Sequence, residues 1–175
     1  MNRENWGAKG KMKKILIWAV VCSLFLAGCQ KKQEYDAQLI EFMTKLVSYS
    51  TYEEAGLSNI KKYNSVFKEY FTEEGYQDFI EGLYPSIYVE FTTKNKVNRT
   101  EDIRIKKVKE EVTGDSVNLQ YEIKYTLRGG KKTIKHTDNA IITLVQEDGV
   151  YKIKKFALLN SSDIIYEMFF RVIIQ

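Results

Sequence analysis

The chain has 175 residues, of which 44% are hydrophobic, 13% aromatic and 29% charged, with one proline, ten glycines, two cysteines and one histidine. This composition excludes a disordered, collagenous or low-complexity protein. Two cysteines exclude a disulfide-rich scaffold, and together with a single histidine they are too few for a structural zinc site. We therefore expect one globular domain with a short additional segment, no metal and no cofactor.

The N-terminal segment has the organisation of an export signal. Three lysines within residues 11–14 precede eleven uncharged residues, 15–25, and small residues follow. A basic start, an apolar stretch of about 7–15 residues and small residues before a cleavage point describe a signal peptide. The stretch is too short for a permanent transmembrane helix, which needs about 20 apolar residues. Because residues 1–11 fit the basic start poorly, we expect translation to begin at Met12.

The next four residues, Leu26-Ala27-Gly28-Cys29, resemble the lipobox of bacterial lipoproteins. The resemblance implies that a dedicated signal peptidase recognises Leu26, Ala27 and Gly28, and that Cys29 carries a diacylglyceryl group on its sulfur. Cleavage before Cys29 would remove residues 1–28. At about 0.8 kcal/mol per buried CH₂, two acyl chains form an effectively permanent anchor. The alternatives are an ordinary secretory signal peptide and an uncleaved single-span anchor.

The charges of the chain support this division. The whole sequence holds 27 basic and 23 acidic residues. Residues 1–28 hold five of the basic residues and one of the acidic ones, so residues 29–175 carry 22 of each. A neutral mature protein has no overall field to attract nucleic acid. We therefore expect a lipid-anchored protein on the extracytoplasmic face of a bacterial cell membrane, with no nucleic-acid partner.

A short polar tether, residues 29–33, precedes an α+β domain predicted over residues 34–158. Apolar residues recur at three- and four-residue spacing over residues 34–50, which predicts an amphipathic helix. Its apolar face consists of Tyr35, Leu39, Phe42, Met43, Leu46 and Val47.

Two further helices are predicted after a turn at residues 51–56. The first covers about residues 57–71, and the second is shorter, capped by Thr72 and finished before Pro85. The side chains expected to face inward are Leu57, Ile60, Tyr63, Phe67, Tyr70, Phe71, Tyr76, Phe79, Ile80 and Leu83.

Beyond Pro85 the apolar period changes to two, which predicts strands. Residues 86–93 are rich in β-branched and aromatic side chains, so we expect a strand there. In the next strand, which runs to Val112, Val108 is out of phase with the preceding isoleucines, and this predicts a bulge near residues 106–107.

Three more strands follow. Residues 117–127 alternate six times between apolar and polar side chains, the clearest strand pattern in the chain. Gly129-Gly130 predicts a hairpin turn before a strand over residues 133–146, and a turn at 147–149 leads to a last strand over 150–158.

Helices followed by antiparallel strands predict an α+β fold, with the helices packed on one face of a curved antiparallel sheet of four to five strands. The order of elements, Phe-Thr-Glu-Glu-Gly-Tyr at residues 71–76 and Glu-Asp-Gly-Val-Tyr-Lys-Ile at residues 147–153 resemble the nuclear-transport-factor-2-like superfamily. The resemblance implies a cone in which helices cover a strongly bent sheet. Cystatin-like and other folds of helices plus a meander remain alternatives.

The C-terminal segment, residues 159–175, is unusually apolar. Nine of the eleven residues from 164 to 174 are apolar, but this length is too short to cross a membrane. One interpretation is a helix or strand that closes the open mouth of the sheet. The other is an exposed docking element for a partner or the membrane surface. Its candidate residues are Ile164, Ile165, Phe169 and Phe170.

A candidate pocket follows from His136 and Asp138, which lie two residues apart in a predicted strand and therefore on one face. With Tyr121 or Tyr125 from the neighbouring strand, they resemble the acid–base pocket that some members of the superfamily build inside the cone. A solvated pair on an edge strand is the interpretation we favour.

The sequence has no Gly-rich phosphate loop and no serine nucleophile motif, and Cys29 is expected to be acylated. We therefore predict no catalytic residue and no enzyme.

Charge is unevenly distributed in the mature chain. Residues 34–84 carry ten acidic and four basic residues, whereas residues 94–155 carry fifteen basic and nine acidic residues. The runs 104–109 and 131–135 predict a basic surface that could meet an acidic partner, a wall polymer or anionic lipid headgroups. The alternative is an ordinary solvated sheet face with lysines that protect its edges.

Together these patterns predict a non-enzymatic binding or assembly protein with a protein partner, its oligomeric state left open. The superfamily resemblance implies a concrete version, because such domains occur as extracytoplasmic subunits of conjugation and type IV secretion machines. An immunity lipoprotein that sequesters an antimicrobial peptide is a rival. A small-ligand carrier or enzyme that uses the cone interior is the alternative from another class. Abundant Lys, Ile, Tyr and Asn favour an AT-rich genome and a Gram-positive cell.

Overall fold

A computed structural model of the chain describes residues 35–159. The lipobox lies outside the described residues, as do the tether and residues 160–175 of the apolar segment. The chain divides into two compact units, Met1–Gln38 and Leu39–Gln175. Of the first unit, only residues 35–38 are described, and they are helical. The sheet and the helices discussed below belong to the second unit, except for residues 35–38 at the start of the first helix.

The helices precede the strands along the chain. Their bounds are residues 35–47 (α1), Tyr49–Ala55 (α2), Ile60–Ser65 (α3), Glu73–Glu81 (α4) and Tyr84–Lys94 (α5), with a 3₁₀ turn at Lys68–Tyr70. The strands are Arg99–Thr113 (β1), Ser116–Gly129 (β2), Lys132–Glu147 (β3) and Val150–Leu158 (β4). In residues 35–159, no helix has the length and apolar character to cross a membrane.

The four strands form one antiparallel sheet in the order β1-β2-β3-β4, so the predicted α+β class with an antiparallel meander is confirmed. The expected bulge in β1 is also confirmed, since the pairing with β2 shifts between Lys107 and Lys109. A second irregularity lies between Glu101 and Arg104. The curvature of the sheet and the cone of the superfamily stay predictions.

An aromatic core holds the helices on the sheet. The ring centroid of Phe42 on α1 lies 5.3 Å from that of Phe71 and 5.2 Å from that of Phe156, and both pairs pack edge to face. Phe79 on α4 stands 6.0 Å from Phe42 and 5.7 Å from Phe156. Such pairs add roughly 0.5–1.5 kcal/mol each beyond the area they bury. The interior is therefore filled by rings from the helices and β4, as the periodicity of α1 and α4 predicts.

The predicted strand at residues 86–93 is wrong, because this segment forms helix α5. Pro85 lies in its first turn, where its fixed φ favours a helix and its missing N–H costs nothing. The buried residues Pro85, Tyr88, Phe91 and Thr92 recur at helical spacing. The Tyr88 hydroxyl also donates a hydrogen bond of 2.7 Å to the carbonyl of Val47 on α1. These tertiary contacts outweigh the strand preference of β-branched and aromatic side chains.

The region between α1 and α4 also differs from the prediction. Instead of a turn, residues 49–55 form α2, which ends at Gly56 with φ of 88°. Instead of one helix over residues 57–71, α3 begins after Asn59, whose side chain accepts a hydrogen bond from the amide of Lys62. This cap fixes the start of α3. The predictions that Ile60 and Leu83 face inward are wrong, because more than half of each side chain is exposed.

Candidate functional site

The pairing of β2 with β3 decides which of the predicted pocket residues meet. His136 lies directly opposite Tyr125, and Asp138 lies opposite Ile123 on the same face. Tyr121 pairs with Ala140, two pairs further along that face. The structure therefore brings His136, Asp138 and Tyr125 together, as the alternation of β3 predicts, and selects Tyr125 over Tyr121. The favoured interpretation of a solvated pair on an edge strand is wrong, because β3 lies between β2 and β4 and Asp138 is buried.

Asp138 is the centre of this group, and only 2% of its surface is exposed. The Tyr125 hydroxyl donates a hydrogen bond of 3.0 Å to its Oδ2. His136 Nε2 lies 3.1 Å from Oδ1. Which of these two atoms donates depends on the tautomer of His136. Both oxygens of the buried carboxylate thus have a partner.

Tyr125 is held in its neutral form. Burial, and in second place the negative charge of Asp138, raise the pKa of the Tyr125 hydroxyl well above its usual value. Tyr125 therefore stays a hydrogen-bond donor at neutral pH and cannot serve as a base there. The Tyr125 ring also lies 5.3 Å from the His136 ring, centroid to centroid, which fixes both rings across the strands.

The space beside this group is small. A cavity of about 30 Å³ lies next to Tyr125 and Asp138. Its other walls are Leu46, Val47, Tyr84, Ile87, Tyr88 and Leu158. One water needs roughly 10–15 Å³ measured in this way, whereas pockets for small molecules have about 300–1,000 Å³. The cavity can hold one or two waters. General acid–base catalysis requires a substrate within hydrogen-bond reach of the catalytic group, and this cavity is too small to place one beside Asp138.

A second cavity, of about 380 Å³, lies over β1, β2 and β3. Its walls include Arg104 and Lys135, one from each of the two basic runs seen in the sequence. Sequence reasoning missed Lys124 and Thr126, which also line it. Lys124 and Thr126 can be placed beside the two basic runs only when the pairing of the strands is known. The two irregularities in β1 prevent that pairing from being predicted from the alternation of apolar and polar residues.

The remaining predicted site residues lie outside the described part of the chain. They comprise Leu26, Ala27, Gly28 and Cys29 of the lipobox and Ile164, Ile165, Phe169 and Phe170 of the apolar segment. Their roles stay predictions. Within residues 35–159, no three His, Cys, Asp or Glu side chains lie close enough to hold a metal ion.

No protein-family model and no curated protein sequence matches the chain. Among solved structures, it is similar to the periplasmic domain of DotI, with 14% identity and a TM-score of 0.49, over 70% of this chain and 94% of that one. It is also similar to a variant of Rv3472, a protein of unknown function from Mycobacterium tuberculosis. That match has 18% identity and a TM-score of 0.36, over 71% of this chain and 73% of that one.

Proposed function

We propose that the protein is a lipid-anchored, extracytoplasmic domain that binds a protein partner and catalyses no reaction. The observation that carries this proposal is that Asp138, the centre of the buried group, borders the cavity of about 30 Å³ and not the larger cavity that Tyr125 and His136 also line. A substrate needs roughly ten times the volume of the smaller cavity. Buried polar groups require hydrogen-bond partners whether or not they react, and this requirement alone accounts for the pairing of Asp138. The protein then acts through its surface.

The lipobox resemblance supports the membrane address. An anchor at Cys29 and a tether over residues 30–33 would keep the domain at the outer face of the cell membrane, where its partner is expected. A Gram-positive cell is part of the proposal, supported by the amino-acid usage of the chain.

Within this class, we favour an accessory subunit of a conjugation or secretion machine over an immunity lipoprotein. The resemblance to the nuclear-transport-factor-2-like superfamily supports this choice, because such domains serve as extracytoplasmic subunits of these machines.

The experiment that tests the proposal is chemical cross-linking in intact cells, followed by purification of the full-length protein from membranes. We expect a stoichiometric complex with components of a membrane machine. The control is His136→Ala, which should recover the same components because the proposed contact does not depend on acid–base chemistry at His136. A complex with a peptide toxin alone would replace the machine by the immunity function. A protein that forms no complex but loses its cellular effect in His136→Ala would contradict the proposal.

The second candidate is a small-ligand carrier or enzyme, and the buried group of Tyr125, Asp138 and His136 favours it. A carboxylate with a histidine and a neutral tyrosine is a set from which general acid–base catalysts are built. Opening of the cavity by a shift of α5 would be needed to admit a ligand. An experimental structure with a small molecule bound against Asp138 would establish this function.

A further inference from the structure

The outer face of the sheet carries a cleft, here called the three-strand cleft. Its walls are Asp102, Arg104, Lys124, Thr126, Lys135 and Thr137, together with Tyr125 and His136 of the buried group. Its volume of about 380 Å³ falls within the range of small-molecule sites. It is more than ten times larger than the cavity beside Asp138, with which it shares Tyr125 as a wall.

The strand register explains why these side chains share one face. Arg104 pairs with Lys124, and Lys124 pairs with Thr137, so the three form a row across β1, β2 and β3. Thr126 and Lys135 form the next pair along the same face. Neighbouring strands lie about 4.8 Å apart, which lets long basic side chains from all three strands reach one ligand.

The cations of the three-strand cleft differ in how they are neutralised. Lys124 Nζ lies 2.8 Å from a carboxylate oxygen of Glu122. Arg104 and Lys135, by contrast, form no ion pair with any carboxylate in the described part of the chain. Both residues are exposed, and a guanidinium or an ammonium without a carboxylate partner is a common partner of a phosphate group.

Thr126 supplies a second, independent observation. Only 5% of Thr126 is exposed, although it lies on the outer face of the sheet, and it lines the three-strand cleft. Within residues 35–159 its hydroxyl makes no hydrogen bond. The hydroxyl oxygen of Thr126 still contacts solvent, so a ligand in the cleft can reach it, and phosphate oxygens commonly accept hydrogen bonds from threonine.

Asp102 limits the kind of anion that fits. It lies at the irregularity of β1 with φ of 54°, and it brings a carboxylate to the cleft. A carboxylate at this place repels a polyanion but can accept a hydrogen bond from a hydroxyl of a ligand with one phosphate.

We propose that the three-strand cleft binds the phosphate group of a small phosphoester that also carries hydroxyl groups. Arg104 and Lys135 neutralise the phosphate, Thr126 donates a hydrogen bond to it, and Asp102 accepts one from the rest of the ligand. The phosphate can belong to a lipid headgroup or to a soluble phosphoester, since both present the same chemistry. This inference does not depend on the proposed protein partner.

The first test measures binding of glycerol 3-phosphate to the full-length protein in zwitterionic detergent by calorimetry. A parallel measurement follows the acetylation rates of Lys124 and Lys135 by mass spectrometry in nanodiscs of phosphatidylglycerol or phosphatidylcholine. Binding of glycerol 3-phosphate without protection in nanodiscs supports a soluble phosphoester. Protection in phosphatidylglycerol but not phosphatidylcholine supports a lipid headgroup. If glycerol 3-phosphate does not bind and phosphatidylglycerol does not selectively protect the two lysines, the proposal is overturned.

Variants separate a specific site from general attraction of charge. Thr126→Val keeps the shape and charge of the cleft but removes the hydroxyl, and should weaken phosphate binding about tenfold. Arg104→Gln with Lys135→Gln should weaken it at least tenfold, whereas the matched pair Lys61→Gln with Lys155→Gln, both exposed elsewhere, should not. Equal losses in both pairs, or unchanged binding in Thr126→Val, overturn the proposal. If Thr126→Val does not fold, Thr126→Ser provides the test, because it retains the hydroxyl and must retain binding.

Discussion

The hydroxyl of Tyr125 and the carboxylate of Asp138 form a 3.0 Å hydrogen bond between β2 and β3, beneath α5 and inside the protein. His136 completes the contact on the other carboxylate oxygen. The bond ties two strands to each other at the place where the helices cover them. Its removal therefore tests how much of the stability of the domain depends on this group.

Asp138→Ala leaves both the Tyr125 hydroxyl and His136 without their partner. We expect the free energy of unfolding to fall by about 2–4 kcal/mol, the usual result of breaking a buried charged contact. Urea denaturation of the detergent-solubilised protein measures this change. Asp115→Ala, at an exposed turn, should change stability by less than about 0.5 kcal/mol. Equal effects of the two substitutions would show that the buried contact contributes nothing.

Alkaline pH should destabilise the domain through its buried tyrosines. Burial raises the pKa of Tyr52, Tyr88 and Tyr125 above the value of about 10 that they have in the unfolded chain. Their contribution to stability is therefore fully present below pH of about 10 and is lost as pH rises further. In Tyr125→Phe, the fall above that pH should be shallower, by up to about 1.4 kcal/mol per pH unit. Denaturation series between pH 8 and pH 12 measure the slope, and an identical slope in the variant would refute this cause.

Gly75 marks a close approach of α4 to β4. A Cβ at this position would lie 2.8 Å from the carbonyl oxygen of Lys154 and closer still to that of Ile153. Both contacts are backbone atoms, so α4 would have to move. We expect Gly75→Ala to lower the unfolding free energy by about 1–3 kcal/mol. Gln77→Ala, on the exposed side of the same helix, is the control and should leave the thermal midpoint nearly unchanged.

Thr72 begins α4 as the sequence predicts. Its hydroxyl accepts a hydrogen bond of 2.9 Å from the amide of Gly75, and its own amide donates one to Ile153. Thr72→Ala should cost about 1 kcal/mol of stability, whereas Thr72→Ser retains the acceptor and should cost less. Thermal unfolding of the two variants distinguishes loss of the cap from loss of the methyl group. A larger loss in Thr72→Ser would contradict the capping role.

The strands were predictable because their signal is local. The alternation over residues 117–127 and the turn residues at 129–130 and 147–149 define β2, β3 and β4, and the predicted bounds of β4 match those observed. Helix α5 was not predictable in this way. Its β-branched and aromatic residues favour a strand, and only the packing of Tyr88 on α1 shows the helical face.

The same limit applies to the sites. Period two places His136 and Asp138 on one face, but the choice of Tyr125 depends on how β2 and β3 align. The size of the cavity beside them depends on α1 and α5, which are distant in sequence. For the three-strand cleft, two irregularities in β1 set the partner of Arg104, and no local pattern reveals both.

The lipid anchor is tested most directly by metabolic labelling with an alkyne fatty acid, followed by mass spectrometry of the wild-type protein and of Cys29→Ala. We expect the wild-type chain to begin at Cys29, to carry the label on that residue and to remain in the membrane fraction. The Cys29→Ala chain should be unlabelled and should retain residues before position 29. Normal processing and membrane retention of Cys29→Ala would contradict lipid anchoring at this cysteine.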